Sequence, residues 1–428
     1  MGRKNRLLNV INNILVRPRY EQFNYVEKKG EKMMSISQKI TEDLSKPSWL
    51  RKLFEEGERL KSIYGEDKVY NFTIGNPGVE PPAAFHEELK RIALNPTPGM
   101  HRYMSNAGYL ETREAIAQVL QENCGLDFSP NHIVMSCGAG GGLNILLKTI
   151  LNPGEEVIVL VPYFPLYRAY IDNYGGVIKK VKTNADFQLN LELLAENITA
   201  KTKAIIINSP NNPTGVIYPE KSIKELGQLL RAKEEEFNNT IYLISDEPYS
   251  KLVFDGLTVP SIFKHVRNSF VVTSHSKDLA LPGERIGYVA MHPEIKDADL
   301  IFKGLNFCNR ALGFVNAPAL MQRLVTNLQR EEADIEGYLE KRNMLYNHLT
   351  SLGFDVVKPA GTFYLFPRSP MPDDIEFIKF ALKYNIVVVP GIDFDMPGYF
   401  RLSFSVSLDT VMNSLPAFTK LAQDLRLK

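Results

Sequence analysis

The chain of 428 residues carries 50 Lys and Arg against 49 Asp and Glu, a formal net charge of +1, and is 44% hydrophobic and 23% charged. That length leaves room for more than one hydrophobic core, and so even a charge balance offers no field to draw in nucleic acid or an anionic membrane surface. Small molecules, or a second copy of the chain, are the expected partners.

In chain order, residues 1–20 hold Arg3, Lys4, Arg6, Arg17 and Arg19 without an acidic residue. A targeting segment or basic arm is one reading. Met33-Met34 favours another, in which residues 1–45 are an N-terminal extension; no signal-peptide cleavage pattern is present and the expected location is the cytoplasm. Ser48 to Tyr64 has helical apolar spacing (Trp49, Leu50, Leu53, Phe54, Leu60, Ile63) and leads into the strand-like Val69 to Phe72. Strands are then expected at Ile133–Ser136, Glu156–Pro162, Val177–Val181, Ala204–Asn208, Ile241–Ser245, Ser269–Thr273 and Arg285–Met291, with helices between. Near-continuous apolar strands alternating with helices point to a mostly parallel sheet covered on both faces. Ala317 to Leu352 reads as one long helix. Strands at Asp355–Val357, Thr362–Phe366, Ile386–Val389 and Tyr399–Ser403 and a helix near Met412–Leu425 complete a second unit. No run approaches the ~20 apolar residues of a membrane span. Cys124, Cys137 and Cys308 show neither metal-ligand spacing nor an even disulfide count, so no metal is expected. Cys137, beside a glycine cluster, reads as a redox-sensitive thiol or as a small buried hydrophobe.

Four places carry chemistry. Gly138-Ala139-Gly140-Gly141-Gly142 follows a strand and opens a helix, whose free N–H groups and dipole suit a phosphate; the missing Gly-x-Gly-x-x-Gly spacing and the lack of an acidic residue in Glu156–Pro162 beyond its opening glutamate argue against a dinucleotide fingerprint. Lys277 ends Ser274-His275-Ser276-Lys277 after a buried strand, where desolvation lowers an amine's pKa toward its nucleophilic form, and Arg285 follows eight residues later. Asp246, in Ser245-Asp246-Glu247-Pro248-Tyr249, suits either a helix N-cap or a carboxylate facing a cationic ring. Arg401, in Phe400-Arg401-Leu402-Ser403, is an arginine in a half-buried strand and calls for an anion.

These stretches, with Ser209-Pro210-Asn211-Asn212-Pro213-Thr214-Gly215, resemble the class I/II aminotransferases, fold-type I enzymes that use pyridoxal phosphate, from about Ser45 to the C-terminus. The resemblance implies a three-layer α/β/α large domain (85–315) plus a smaller α+β domain (46–84 and 316–428). It places the cofactor phosphate on Gly138, Ala139 and Gly140, with Ser274 and Arg285 completing the cup. Phe164 would stack on the ring, Asp246 would keep the ring nitrogen protonated, and Tyr249 and Asn212 would bond its phenolic oxygen. Lys277 would be the Schiff-base lysine and proton carrier. Gly75 and Arg401 would hold the substrate carboxylate, Asn212 lying alongside. Tyr103 would reach the neighbouring subunit's phosphate, making the working unit a homodimer with shared sites. Gly140, Gly141 and Gly142 offer no cation for a second carboxylate, so Arg310, 33 residues past Lys277, is a candidate to supply one across the dimer. The expected activity is ping-pong transfer of an amino group from an L-amino acid to a 2-oxo acid. A C–S β-lyase on the same cofactor is the alternative, and a cofactor-sensing DNA-binding regulator a remoter one.

Overall fold

A computed structural model describes residues 36–45, 49–73 and 75–427; the expectations for residues 1–35, the basic arm among them, lie outside the described residues. Helices α1 (Gln38–Ser45) and α2 (Trp49–Tyr64) lead to strand β1 (Tyr70–Asn71), α3 (Ala83–Leu94) and α4 (Leu110–Cys124). An alternating run follows: β2 (Ile133–Ser136), α5 (Gly138–Ile150), β3 (Glu156–Val161), α6 (Leu166–Asp172), β4 (Val177–Lys182), α7 (Leu191–Asn197), β5 (Thr202–Asn208), α8 (Glu220–Phe237), β6 (Tyr242–Asp246), β7 (Ser269–Ser274), α9 (His275–Asp278) and β8 (Gly287–Met291). The chain closes with α10 (Ala298–Ala311), α11 (Ala319–Thr326), α12 (Glu336–Ser351), β9 (Tyr364–Leu365), α13 (Asp374–Leu382), β10 (Ile386–Val387), β11 (Val389–Pro390), β12 (Phe400–Ser403) and α14 (Leu408–Asp424).

The seven-stranded sheet runs β2-β8-β7-β6-β5-β3-β4, parallel except for β8, which lies antiparallel to both neighbours. Its strands bury both faces because alternate residues serve two cores. Ile133, Met135, Ile158, Leu160, Ile205 and Ile207 pack on one face; Val134, Val157, Val159, Ala204, Ile206 and Ile244 pack on the other. β4, at the edge, is largely exposed. Register aligns Asn208 with Asp246 and Asp246 with Val272, so the polar strand ends collect at the C-terminal edge, where ligands bind in open α/β sheets. A separate apolar cluster joins Leu53, Leu60, Val69 and Phe72 to Tyr338, Phe363, Phe377, Val387 and Leu402, and β1 pairs in parallel with β10. No described helix is long and apolar enough to cross a membrane.

Six expectations are corrected. The long helix at 317–352 is two helices, with residues 327–335 non-helical between α11 and α12. The break occurs because Lys251 Nζ takes the Gln329 and Glu331 carbonyls, and Ala333 N–H bonds the Asp278 carbonyl instead of its own helix. Asp355–Val357 forms no strand: Arg368 N–H bonds the Asp355 carbonyl, but no ladder continues from it. Ile386–Val389 is divided, since β10 pairs with β1 and β11 with β12. Val69–Phe72 shrinks to Tyr70–Asn71, paired only with Ile386 and Val387, and Thr362–Phe366 shrinks to Tyr364–Leu365, paired with Ser403 and Leu402. β8 begins at Gly287, because Arg285 has φ 51°, outside any strand conformation.

Candidate active site

A cavity of about 620 Å³ opens at the C-terminal edge of the sheet, and Gly75, Ala139, Gly140, Phe164, Asn212, Asp246, Tyr249, Ser274, Lys277, Arg285 and Arg401 all line it. Gly138 lies against it through Arg285. Tyr103 and Arg310 do not join them: Tyr103 is 86% exposed, and Arg310 is exposed near the end of α10.

Lys277 sits on the single turn α9, directly after the buried β7. Its Nζ donates to the Gly75 carbonyl and lies 5.2 Å from the Phe363 ring centroid. Burial, helped by the Arg401 and Arg285 cations, lowers its pKa from 10.5 to about 8. A useful fraction of the amine is therefore neutral near neutral pH, as a nucleophile or base requires.

Asp246 ends β6, fully inside the protein. Its Oδ2 accepts from Tyr167 Oη at 2.5 Å, and its backbone carbonyl accepts from Asn208 Nδ2 at 2.7 Å. Its Oδ1 is buried without a partner. Burial raises its pKa to about 7 against the opposing pull of Tyr167, and burial lifts Tyr167 and Tyr249 well above 10. A buried carboxylate with one free oxygen at a cavity wall calls for a donor, preferably cationic, from a ligand. The N-cap alternative falls: its side chain makes no bond to the turn that follows.

The glycine turn opens α5 with Gly138 at φ 70°, and a Cβ there would lie 2.7 Å from Arg285 Nη2. Arg285 donates from Nη1 to the Pro282 carbonyl at 2.8 Å. A Cβ on Gly140 would come within 3.0 Å of Tyr170 Oη. Bare backbone, a helix N-terminus and a guanidinium thus face one space, with Ser274 beside them. Cys137 is part-buried and burial raises its thiol pKa, which weighs against a reactive thiolate.

Arg401 is 4% exposed. Nη1 donates to Asn212 Oδ1 at 3.2 Å and Nη2 to the Thr73 carbonyl at 3.0 Å, while Nε has no partner. Its guanidinium lies between the rings of Tyr364 and Phe394, with centroids at 4.4 and 5.0 Å. Tyr364 also meets Tyr249 through their hydroxyls at 3.3 Å, and its hydroxyl would be 2.9 Å from a Cβ on Gly75.

Sequence reasoning missed Tyr167, Asn208, Thr73, Tyr364 and Phe394. Asn208, which closes a buried strand just before Ser209-Pro210, was the most findable; the others are brought in from distant segments. The groups present fit pyridoxal phosphate: a cradle for phosphate, a lone carboxylate oxygen for a ring N–H, and a low-pKa lysine.

Comparison with known proteins agrees. The family model for aminotransferase class I and II matches residues 67–417. An aspartate/prephenate aminotransferase of Thermus thermophilus is 32% identical over 81% of this chain and 89% of its own length. A probable aspartate aminotransferase of Methanocaldococcus jannaschii is 31% identical over 86% and 96%. A crystal structure of an aminotransferase from Eubacterium rectale superposes with a TM-score of 0.89 at 36% identity, covering 91% of this chain and 99% of that one. These relatives are aminotransferases, which does not favour the β-lyase alternative. The chain belongs to the class I and II aminotransferases, fold-type I enzymes that depend on pyridoxal phosphate.

Proposed function

We propose that this transaminase moves the amino group of an L-amino acid, aspartate or another common one, to a 2-oxo acid such as 2-oxoglutarate or pyruvate. The observation that carries the reading is Arg401, a guanidinium 4% exposed, opening on the same cavity as Lys277 and making no ion pair among the described residues. An amino acid's α-carboxylate is the anion its planar fork suits.

Pyridoxal phosphate, when bound, supplies a carbonyl carbon that exchanges amines and a ring that accepts electrons released at the substrate's α-carbon. Gly138, Ala139, Gly140, Ser274 and Arg285 would hold its phosphate, and Phe164 would cover its ring. Asp246 Oδ1 would accept the ring N–H and keep that proton in place. Tyr249 Oη and Asn212 would bond the ring's phenolic oxygen. Arg401, oriented by Asn212 and the Thr73 carbonyl, would bind the substrate carboxylate beside Gly75. Lys277 Nζ would take and return the proton at the α-carbon.

Two copies would form the working unit. The exposure of Tyr103 and Arg310 supports roles across a subunit boundary, Tyr103 toward the partner's phosphate site and Arg310 toward a distal carboxylate. We assign residues 85–315 to the large domain and 46–84 with 316–428 to the small one, and the cytoplasm as the location. The test is the visible absorbance of the cofactor-loaded protein, with amino acids added one class at a time. Bleaching by an amino acid alone and recovery with 2-oxoglutarate is the expected result. A band indifferent to every amino acid would end the proposal.

A further inference from the structure

Lys277 rides on a helix of four residues. One helical turn cannot hold itself, because nucleation is unfavourable and only further turns offset it. The place of the lysine must therefore be fixed from outside: His275 bonds Ile286 and Leu281 through its backbone, and the side-chain contacts behind the turn converge on the next residue, Asp278.

Asp278 Oδ2 lies 3.0 Å from Nδ1 of His275, which is 3% exposed, and Oδ1 accepts the Leu279 N–H at 2.8 Å. The turn is thus closed on itself by one carboxylate. The Asp278 carbonyl accepts the Ala333 N–H at 2.6 Å. Lys251 Nζ stands 4.0 Å from Asp278 Oδ2 and donates to the Gln329 and Glu331 carbonyls, each at 2.8 Å. The amide of Gln329, itself 7% exposed, lies 3.5 Å from His275 Nε2. Three segments, around 251, 278 and 329–333, therefore meet behind the lysine turn. None of His275, Asp278, Lys251 or Gln329 lines the active cavity. The interruption of helix between α11 and α12 exists where the backbone turns aside to make these bonds.

We propose that Asp278, with Lys251, is a positioning residue for the transfer reaction: the pair brace the one-turn helix so that Lys277 Nζ is held at the reacting edge of the cavity. The inference deepens the aminotransferase reading and rests on it. A lysine set loose by about 1 Å loses about 100-fold in the chemical step, because the near-attack geometry is what the brace preserves. Substrate carboxylate binding, at Arg401, and phosphate binding, at Arg285 and the glycine turn, are untouched.

The experiment compares Asp278→Ala, Lys251→Met and Asp255→Ala in the full-length protein. Asp255→Ala severs the Arg342–Asp255 ion pair, 2.8 Å long and outside the cavity lining, and serves as a control for simple loss of stability. In the loaded enzyme Asp278→Ala is expected to lower kcat by about 100-fold while KM for the amino donor stays within about threefold. In cofactor-free protein, the pH midpoint for capture of pyridoxal phosphate should rise from near 8 toward 10.5, as the loosened amine gains water. Lys251→Met should shift both readings the same way by less, and it decides the question if Asp278→Ala does not fold. A kcat within about twofold of wild type and an unmoved midpoint would overturn the proposal. So would a joint fall in kcat and cofactor affinity matching Asp255→Ala at equal loss of melting temperature. Wild-type protein that captures the cofactor but never transfers an amine would instead sink the aminotransferase reading, and the midpoint shift would still judge the brace.

Discussion

Replacing Arg401 with lysine keeps the charge and removes the fork. In the protein Nη1 and Nη2 are pinned by Asn212 Oδ1 and the Thr73 carbonyl at 3.2 and 3.0 Å, and the plane is clamped between Tyr364 and Phe394. The guanidinium is thus set before the substrate arrives, and little conformational entropy is lost on binding. An ammonium reaching the same place presents a single point of contact, forfeiting one charge-assisted hydrogen bond to the carboxylate, which is about 1.5–3 kcal/mol. That converts to about a 10- to 150-fold rise in the amino acid concentration needed for half-bleaching. The assay is the amplitude of the visible absorbance change against amino acid concentration in cofactor-loaded protein. Affinity for pyridoxal phosphate should not change, since Arg401 stands apart from the glycine turn. A half-saturation constant within twofold of wild type, or an equal loss of cofactor affinity, would show that Arg401 does not hold the carboxylate.

Three further outcomes are expected. The neutral amine of Lys277 grows as pH climbs, so capture of pyridoxal phosphate by cofactor-free protein should accelerate with a midpoint near 8; a midpoint near 10.5 would mean that the amine is hydrated. Asp246 keeps its proton more readily folded, near 7, than unfolded, near 3.8. Cofactor-free protein should therefore lose stability as pH rises through that window, by about 4 kcal/mol at most. A bound cofactor that gave the carboxylate a cationic partner would offset the loss, so the melting shift that it produces should widen from about pH 5 to about pH 8 and flatten in Asp246→Asn; a constant shift in wild type would refute the pairing. Gly138→Ala forces a Cβ to 2.7 Å from Arg285 Nη2 at a backbone angle of φ 70°. About 1 kcal/mol of backbone strain and a displaced guanidinium should weaken pyridoxal phosphate binding at least tenfold in a fluorescence titration, and unchanged binding would remove the glycine turn from the phosphate site.

What the sequence determined by itself was local. Short continuous apolar runs such as Val157–Val161 and Ala204–Ile207, set among helical patterns, read as strands buried on both sides, and a glycine run after such a strand suits a helix opening with free N–H groups. The short stretches around Asn212, Asp246, Lys277 and Arg401 likewise carry their chemistry in adjacent residues, so the polar strand ends and the cavity they line were legible before any coordinate. The tertiary structure alone decided what depends on partners far along the chain. Tyr167 reaches Asp246 across 79 positions, and the Thr73 carbonyl meets Arg401 across 328. Neither contact leaves a periodicity to read. Residues 327–335 were decided from a distance too: their helical spacing is real, but Lys251 and the Asp278 turn compete for the backbone groups and prevail. Propensity contributes only tenths of a kcal/mol per residue, and a few long-range hydrogen bonds outweigh it.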